Sequence, residues 1–212
     1  MRSLAASILA ALGGFIILVL EIIGARYLAK DFGGSFYVWV SQIGVVMLAL
    51  ACGYYVGGAL ADRHGRLGIL GLLLVVAGVF TFAVPNVSPP IIEAIIGRHP
   101  TDRAIPPLWQ KLDPALGSMC VFLFPCIVLA MLPPFLIRWL TSHVDRVGRS
   151  SGAVIAAGTL GSIAGVVVAG YILIDVMRVT DIFRLMGGLT ALTGALSAVL
   201  DRRFGSKPVT RE

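Results

Sequence analysis

Six apolar runs constrain this chain more than any other feature of its sequence. The hydrocarbon core of a bilayer is about 30 Å thick, and an α-helix crosses it in roughly 20 residues. We place the runs at about Leu4–Ala29, Tyr37–Ala61, Leu67–Val84, Gly117–Leu140, Gly152–Ile174 and Ile182–Leu200. The sequence therefore predicts an all-α, polytopic membrane helix bundle with about six transmembrane helices, forming a single transmembrane domain over residues 1–212.

The composition agrees with a membrane environment. Only 13% of the residues are charged and 58% are hydrophobic, whereas soluble domains carry roughly 25% charged residues. The first run is too long for a signal peptide, contains Glu21 and lacks a small-residue cleavage site, so we interpret it as a retained span. These features exclude a soluble domain within the 212 residues.

The distribution of charge predicts the orientation of the bundle. With the N-terminus inside, the inner segments hold ten basic residues, whereas the six basic residues of the outer segments are matched by six acidic ones. Short loops rich in Lys and Arg remain on the cytoplasmic side, which predicts both termini inside. The net charge of +6 then faces the anionic inner leaflet. The lipid bilayer is the expected partner, and no nucleic acid is needed to explain the charge.

Glu21 and Arg26 are the two charges embedded in the first run. Counted from Ile16 at 1.5 Å per residue, Glu21 lies about 7 Å and Arg26 about 15 Å toward the outer face. Arg26 can extend to the interface, but a carboxylate at the depth of Glu21 is costly without a partner or a proton. Both residues are candidates for a substrate or proton site, and a structural polar clamp at Glu21 is the alternative.

Small residues mark two runs as helix-packing segments. Gly53 and Gly57 form a stripe in the second run, and Gly158, Gly161 and Gly165 do so in the fifth. Such stripes let helices approach closely in membranes. The fifth run has the smallest side chains, and we expect it to lie centrally, packed on more than one side.

Prolines divide the middle of the chain. The segment 85–116 holds seven prolines, which predicts an outer loop without a long helix, and His99 within it is expected to be a solvated loop histidine. Pro125, Pro133 and Pro134 in the fourth run predict a kink, because proline frees carbonyls from the helical hydrogen-bond ladder.

The turn after the second run carries a motif. Its residues are Gly58, Leu60, Asp62, Arg63, Gly65 and Arg66, followed by Leu67. The turn resembles the loop G-x-L-x-D-R-x-G-R-[RK] of the major facilitator superfamily, with Leu67 in the place of a basic residue. The resemblance implies a loop that steadies one state of an alternating-access transporter. A polar inner turn whose arginines obey the positive-inside rule explains the same residues equally well.

Two longer segments resemble a second family. The first combines LExxxxR, GGSxYVW and GYYxGGxxADR within Leu20–Arg66, and the second is GRSSGxxxAxxTLGSIAGxxxAGYxLI at Gly148–Ile174. Both are similar to the membrane region of the bacterial membrane-bound spermidine synthase-like proteins. The resemblance implies a multi-pass protein of the bacterial inner membrane, with polyamines as candidate ligands. No segment of the 212 residues resembles the synthase domain, so we expect the membrane module alone, without aminopropyl transfer.

Three functions remain open at this stage. The first is a non-catalytic membrane module that binds or passes a small cation with Glu21 as the internal anion, working with a separately encoded synthase-like protein. The second is a half-size transporter that forms a homo-oligomer, and the third is an accessory subunit among other membrane subunits. The sequence shows no catalytic grouping and no metal-ligand spacing, and Cys52, Cys120 and Cys126 are isolated within apolar runs. We therefore expect no enzyme, no cofactor and no metal.

Overall fold

Six long helices form the protein in a computed structural model that describes residues 2–34, 36–99, 102, 104–141 and 147–204. They are α1 (Arg2–Phe32), α2 (Phe36–His64), α3 (Leu67–Gly97), α4 (Pro107–Leu140), α5 (Val147–Val176) and α6 (Val179–Phe204). Each is long and apolar enough to cross a membrane, and the described ranges contain no strand. The predicted all-α, multi-pass membrane bundle is confirmed.

Two of the helices contain a π-helical turn. In α4 the turn is Met119–Leu123, which ends two residues before Pro125, and the helix breaks again at Met131, two residues before Pro133. Each proline lacks the N–H that an α-helical ladder needs at its position. The predicted interruption of the fourth span is confirmed. In α5 the turn is Ala169–Leu173, where no proline occurs.

The prediction that prolines exclude a long helix over 85–116 is wrong. Helix α3 runs through Pro85, Pro89 and Pro90 to Gly97, and α4 begins at Pro107. The reason is packing on the bundle: the side chains of Val84, Ser88 and Ile92 recur every four residues and are buried. Ser88 also shares a 2.6 Å hydrogen bond with the hydroxyl of Tyr27 on α1. Tertiary contacts outweigh the local cost of proline here.

Helices α3 and α6 pack as an antiparallel pair across glycines. A Cβ added at Gly71 would lie 2.6 Å from the carbonyl oxygen of Gly194, and one added at Gly78 would lie 2.6 Å from that of Gly187. Real Cβ atoms do not come so close to a backbone, so only glycine fits at this contact. The two backbones therefore touch.

Helices α1 and α5 pack as a parallel pair in the same way. Gly161 lies against the backbone of Ala11, and a Cβ at Gly165 would be 2.5 Å from the carbonyl oxygen of Phe15. The rest of α5 is largely exposed: only 22% of its most apolar window is buried, the lowest share of the six helices. The expectation of a central fifth span is wrong, because its close-packed glycines lie on a single face, which contacts α1.

The first and last residues that the structure describes, Arg2 and Phe204, lie at the same end of the bundle. Arg2 donates a 2.6 Å hydrogen bond to the carbonyl oxygen of Phe204 and stacks over the ring of Trp139. Asp201 accepts a 3.1 Å hydrogen bond from the backbone N–H of Leu67, which satisfies an orphan donor at the start of α3. We call this end the N-terminal face. Termini on one face agree with the predicted topology.

Candidate functional site

A cleft of about 440 Å³ lies among four helices. Its floor comes from α1 and α4, and its walls come from α2 and α5. The lining residues are Ala10, Gly13, Gly14, Ile17, Leu18, Leu50, Tyr54, Leu129, Ala130, Leu132, Pro133, Pro134, Ile137, Val154, Ile155, Gly158, Thr159 and Ser162. The cleft exists because α1 approaches α5 closely at glycines while α4 breaks beside it at Met131.

The chemistry of the cleft is almost wholly apolar. Its polar side chains are the hydroxyls of Tyr54, Thr159 and Ser162, and none of the lining residues is charged. The Thr159 hydroxyl is already used, since it donates a 3.0 Å hydrogen bond to the carbonyl oxygen of Ile155. Tyr54 and Ile155, on opposite walls, are 49% and 58% exposed. The cleft is therefore open between α2 and α5.

Glu21 lies one turn beyond the cleft on the same face of α1. The lining residues Gly14, Ile17 and Leu18 precede it by seven, four and three positions, and such spacings place residues on one helical face. Its side chain is partly buried. No ion pair or hydrogen bond joins Glu21 to any other residue that the structure describes.

Arg26 has a different environment from Glu21. It is exposed, whereas its helical neighbours Ala25 and Leu28 are buried. It forms no ion pair with Glu21, as the five-residue spacing of about 140° predicts. The structure therefore separates the two charges that the sequence made candidates, and Glu21 alone lies beside the cleft.

A second polar contact lies against Gly24 of α1, three residues after Glu21 and farther from the cleft. Gln42 of α2 is fully buried and accepts a 2.7 Å hydrogen bond from Ser118, directly before the π-helical turn of α4. Its amide nitrogen packs against Gly24 and has no hydrogen-bond partner among the described residues. Buried amides are rare without partners, and π-helical turns are frequent at functional sites. Sequence analysis missed this pair, although Gln42 is the one amide within an apolar run.

The predicted inner motif lies on the N-terminal face. Gly65 has φ +60° and its N–H bonds to the carbonyl oxygen of Ala61, so it closes α2 in the left-handed region that favours glycine. Asp62 pairs with Arg138 of the neighbouring helix α4 at 3.7 Å. Both side chains are more than half exposed, so this pair contributes little stability. Other motif residues are exposed or without close contacts: Arg63 and Arg66 are exposed, and a Cβ at Gly58 would meet nothing within 4 Å.

The packing glycines divide between two interfaces. Gly53 lies against Ile127 and Ala130, and a Cβ at Gly57 would be 2.8 Å from Met131, so both bring α2 onto α4 beside its break. Gly161 and Gly165 hold α5 on α1, as described above. Gly158 also lines the cleft: its carbonyl oxygen lies against Gly14 of α1, and a Cβ at Gly158 would be 3.7 Å from the carbonyl oxygen of Ala10.

The prediction of a solvated His99 is wrong. Its side chain is 10% exposed, and Nε2 lies 2.7 Å from Oδ2 of Asp113 on α4. Asp113 is buried and also pairs with Arg98, which stacks over Trp109. The cluster joins the end of α3 to the start of α4. The His99 side chain is buried because these two helices occupy a segment that the sequence predicted to be a loop. The available signal was the spacing of Trp109 and Asp113, which are four positions apart and would share one face of a helix.

Neither a metal centre nor a disulfide appears in the described part of the chain. No group of three or more metal-ligating side chains occurs there, and the three cysteines are free. Comparison of the chain with protein-family models, curated proteins and solved structures finds no match. Fold and site together define a multi-pass membrane protein with a carboxylate beside an apolar cleft.

Proposed function

We propose that this chain is a non-catalytic membrane module that binds or passes a small organic cation, with Glu21 as its internal counter-charge. The observation that carries the proposal is the partly buried Glu21 carboxylate, which lies beside the cleft without an ion pair among the described residues. A carboxylate inside a membrane span is costly, and such residues commonly mark substrate or ion pathways. A bound cation would offset this cost.

The surroundings of Glu21 support a binding role over a structural clamp. A clamp requires a fixed partner, and Arg26 is exposed on another face of α1. The neighbouring Gln42 amide also has no acceptor in the described structure. In the described part of the chain, an unpaired carboxylate beside a cleft of about 440 Å³, with an unpaired amide packed against Gly24 three residues farther along α1, favours a site that a ligand completes.

The proposed setting is the bacterial inner membrane, with the N-terminal face in the cytoplasm. The basic residues of that face support this orientation through the positive-inside rule. The resemblance of Leu20–Arg66 and Gly148–Ile174 to the spermidine synthase-like membrane region supports the bacterial assignment and a separately encoded synthase-like partner.

A second candidate function is an accessory subunit or one half of a transporter. The specific observation in its favour is the exposure of α5, where a Cβ at Gly148, Gly152 or Gly170 would meet nothing within 4 Å. Exposed glycines on a membrane helix suit close contact with another helix. In this case other membrane subunits or a second copy of the chain would cover α5.

Ligand binding with a matched pair of variants tests the proposal. The purified chain in lipid nanodiscs is titrated with a panel of amines, from monoamines to spermidine. We expect at least one amine to bind and to lose affinity by about tenfold or more in Glu21→Gln, since about 1.4 kcal/mol corresponds to a tenfold change. Glu93→Gln, the same change at an exposed position of α3, should leave the affinity unaltered. Equal binding by both variants and the wild type for every amine would refute the proposal.

Mass analysis of the purified chain tests the second candidate. The cation-binding module is expected to bind amines as a single copy in a nanodisc. If binding appears only when a second copy or another membrane subunit is present, the second candidate replaces the first.

A further inference from the structure

We infer that the cleft binds an organic monocation with an apolar body, of the alkylammonium type, and discriminates against polyamines. The inference rests on the cation binding proposed above and names the chemical class of the cation. It follows from the number of charges, from the lining of the cleft and from its opening.

The described part of the chain offers one counter-charge deep within a span, Glu21. Among the described acidic residues, Glu21 alone lies about three helical turns from the nearer end of its helix. The others lie close to helix ends or outside the helices, namely Asp31, Asp62, Glu93, Asp102, Asp113, Asp175, Asp181 and Asp201. One carboxylate balances one ammonium group. A polyamine would bring further charges into the span without a partner, which is strongly unfavourable.

The lining fits an apolar body. Aliphatic and glycine residues of α1 and α4 form the floor, and the neutral hydroxyls of Tyr54 and Ser162 cannot replace a second carboxylate. A cleft of about 440 Å³ has room for roughly 15 groups of the size of a water or a methylene, at about 30 Å³ each. This is enough for an alkyl chain of about ten carbons whose ammonium group lies at Glu21.

The opening of the cleft favours a ligand that arrives from the bilayer. Its walls belong to α2 and α5, whose most apolar windows are 28% and 22% buried, the two lowest shares among the six helices. The exposed Tyr54 and Ile155 flank the opening. An alkylammonium ion concentrates in the membrane through its chain, whereas a polyamine stays in water.

Binding of two probes to the same nanodiscs tests the inference. We would measure n-decylammonium and spermidine by equilibrium dialysis, with empty nanodiscs to subtract partitioning into lipid. Decylammonium is expected to bind the wild type at least about tenfold more tightly than spermidine. Glu21→Gln should abolish this preference, because it removes the counter-charge.

A pair of adjacent substitutions on α5 tests the position of the ligand. Thr159→Phe places a ring in the cleft, whereas Leu160→Phe, on the neighbouring exposed position, lies outside the lining. The first should lower decylammonium affinity about tenfold or more and the second should change it less than about twofold. Ile155→Trp, at the opening, is the second cleft variant if Thr159→Phe does not elute as a monodisperse protein.

The outcomes separate the inference from the proposed function. Spermidine binding that depends on Glu21 and exceeds decylammonium binding would overturn the inference and leave the proposed function intact. Decylammonium binding that depends on Glu21 but is unaffected by every cleft variant would overturn the assignment to the cleft. If neither probe depends on Glu21, the inference is wrong, and if no other amine of the panel depends on Glu21 either, the proposed function is wrong as well.

Discussion

At the scale of single residues, burial decides which charges matter. Glu21 and Asp113 are both carboxylates in helices, but Asp113 has Arg98 and His99 as partners and Glu21 has none among the described residues. The partnered carboxylate is a structural tie, because a buried charge is stable only when paired. The unpartnered one beside the cleft is the functional candidate. Sequence alone made Glu21 a candidate from its depth, whereas His99 was expected to be solvated because the helices on either side of it were not recognised.

Removing the charge of Asp113 tests its structural role. Asp113→Asn is expected to lower the free energy of unfolding by about 1.5–3 kcal/mol, the usual contribution of hydrogen bonds to charged groups. Thermal unfolding in detergent would measure the change. Asp181→Asn is the control, because Asp181 pairs with Arg184 at 3.4 Å while both side chains are nearly half exposed, and such pairs contribute little. Equal effects of the two variants would contradict the structural tie.

At the scale of elements, glycine-mediated contacts assemble the bundle. The pairs α3 with α6 and α1 with α5 each bring backbones together where no side chain fits. The sequence predicted close packing for the fifth span from its glycines, but the seven-residue spacings of Gly71 with Gly78 and Gly187 with Gly194 passed unnoticed. A stripe of small residues reveals that a helix packs closely. It does not reveal how many faces do so, which is why α5 was wrongly expected at the centre.

Adjacent glycines of α6 offer a matched test of the contact with α3. A Cβ at Gly187 would lie 2.5 Å from the backbone nitrogen of Phe82, whereas one at Gly188 would meet nothing within 4 Å. Gly187→Ala should therefore destabilise the fold by about 1–3 kcal/mol through overpacking. Gly188→Ala should be neutral or stabilise it by up to about 1 kcal/mol, because alanine favours helix. Effects of the same sign and size would contradict the α3–α6 contact.

The prolines of α3 and α4 show that local sequence does not decide whether a helix continues. In α4 each interruption precedes a proline, as the sequence predicts. In α3 the helix continues through three prolines because buried side chains every fourth residue hold it on the bundle. The local penalty is the same in both helices. Only the tertiary contacts differ, and they are not visible in a single sequence.

At the scale of the whole molecule, the apolar runs determine the architecture. All six predicted spans correspond to helices able to cross a membrane, because the thickness of the bilayer fixes the length of an apolar helix. The contacts of Arg2 with Trp139 and Phe204 bring the start of α1 and the end of α6 to one face. The cleft could not be predicted from the sequence, because it depends on the gap between α2 and α5 and no sequence motif indicates that gap.

Reporter fusions test the topology. Fusions at Arg2 and after Phe204 should report the cytoplasm, and an insertion at Gly33 in the turn between α1 and α2 should report the opposite side. The physical reason is that an even number of spans returns the chain to its starting face, while the basic N-terminal face is retained inside. Opposite results for the two terminal fusions would mean that one of the six helices does not span the membrane.

Photo-crosslinking of an alkylammonium probe tests the central claim most directly. A decylammonium carrying a diazirine on its chain is bound to the protein in nanodiscs, irradiated, and mapped by mass spectrometry of the peptides. We predict labels on the cleft-lining segments of α1, α4 and α5, and their loss in Glu21→Gln but not in Glu93→Gln. Labels spread evenly over the lipid-facing surfaces, unchanged by Glu21→Gln, would contradict the claim that Glu21 and the cleft form a cation site.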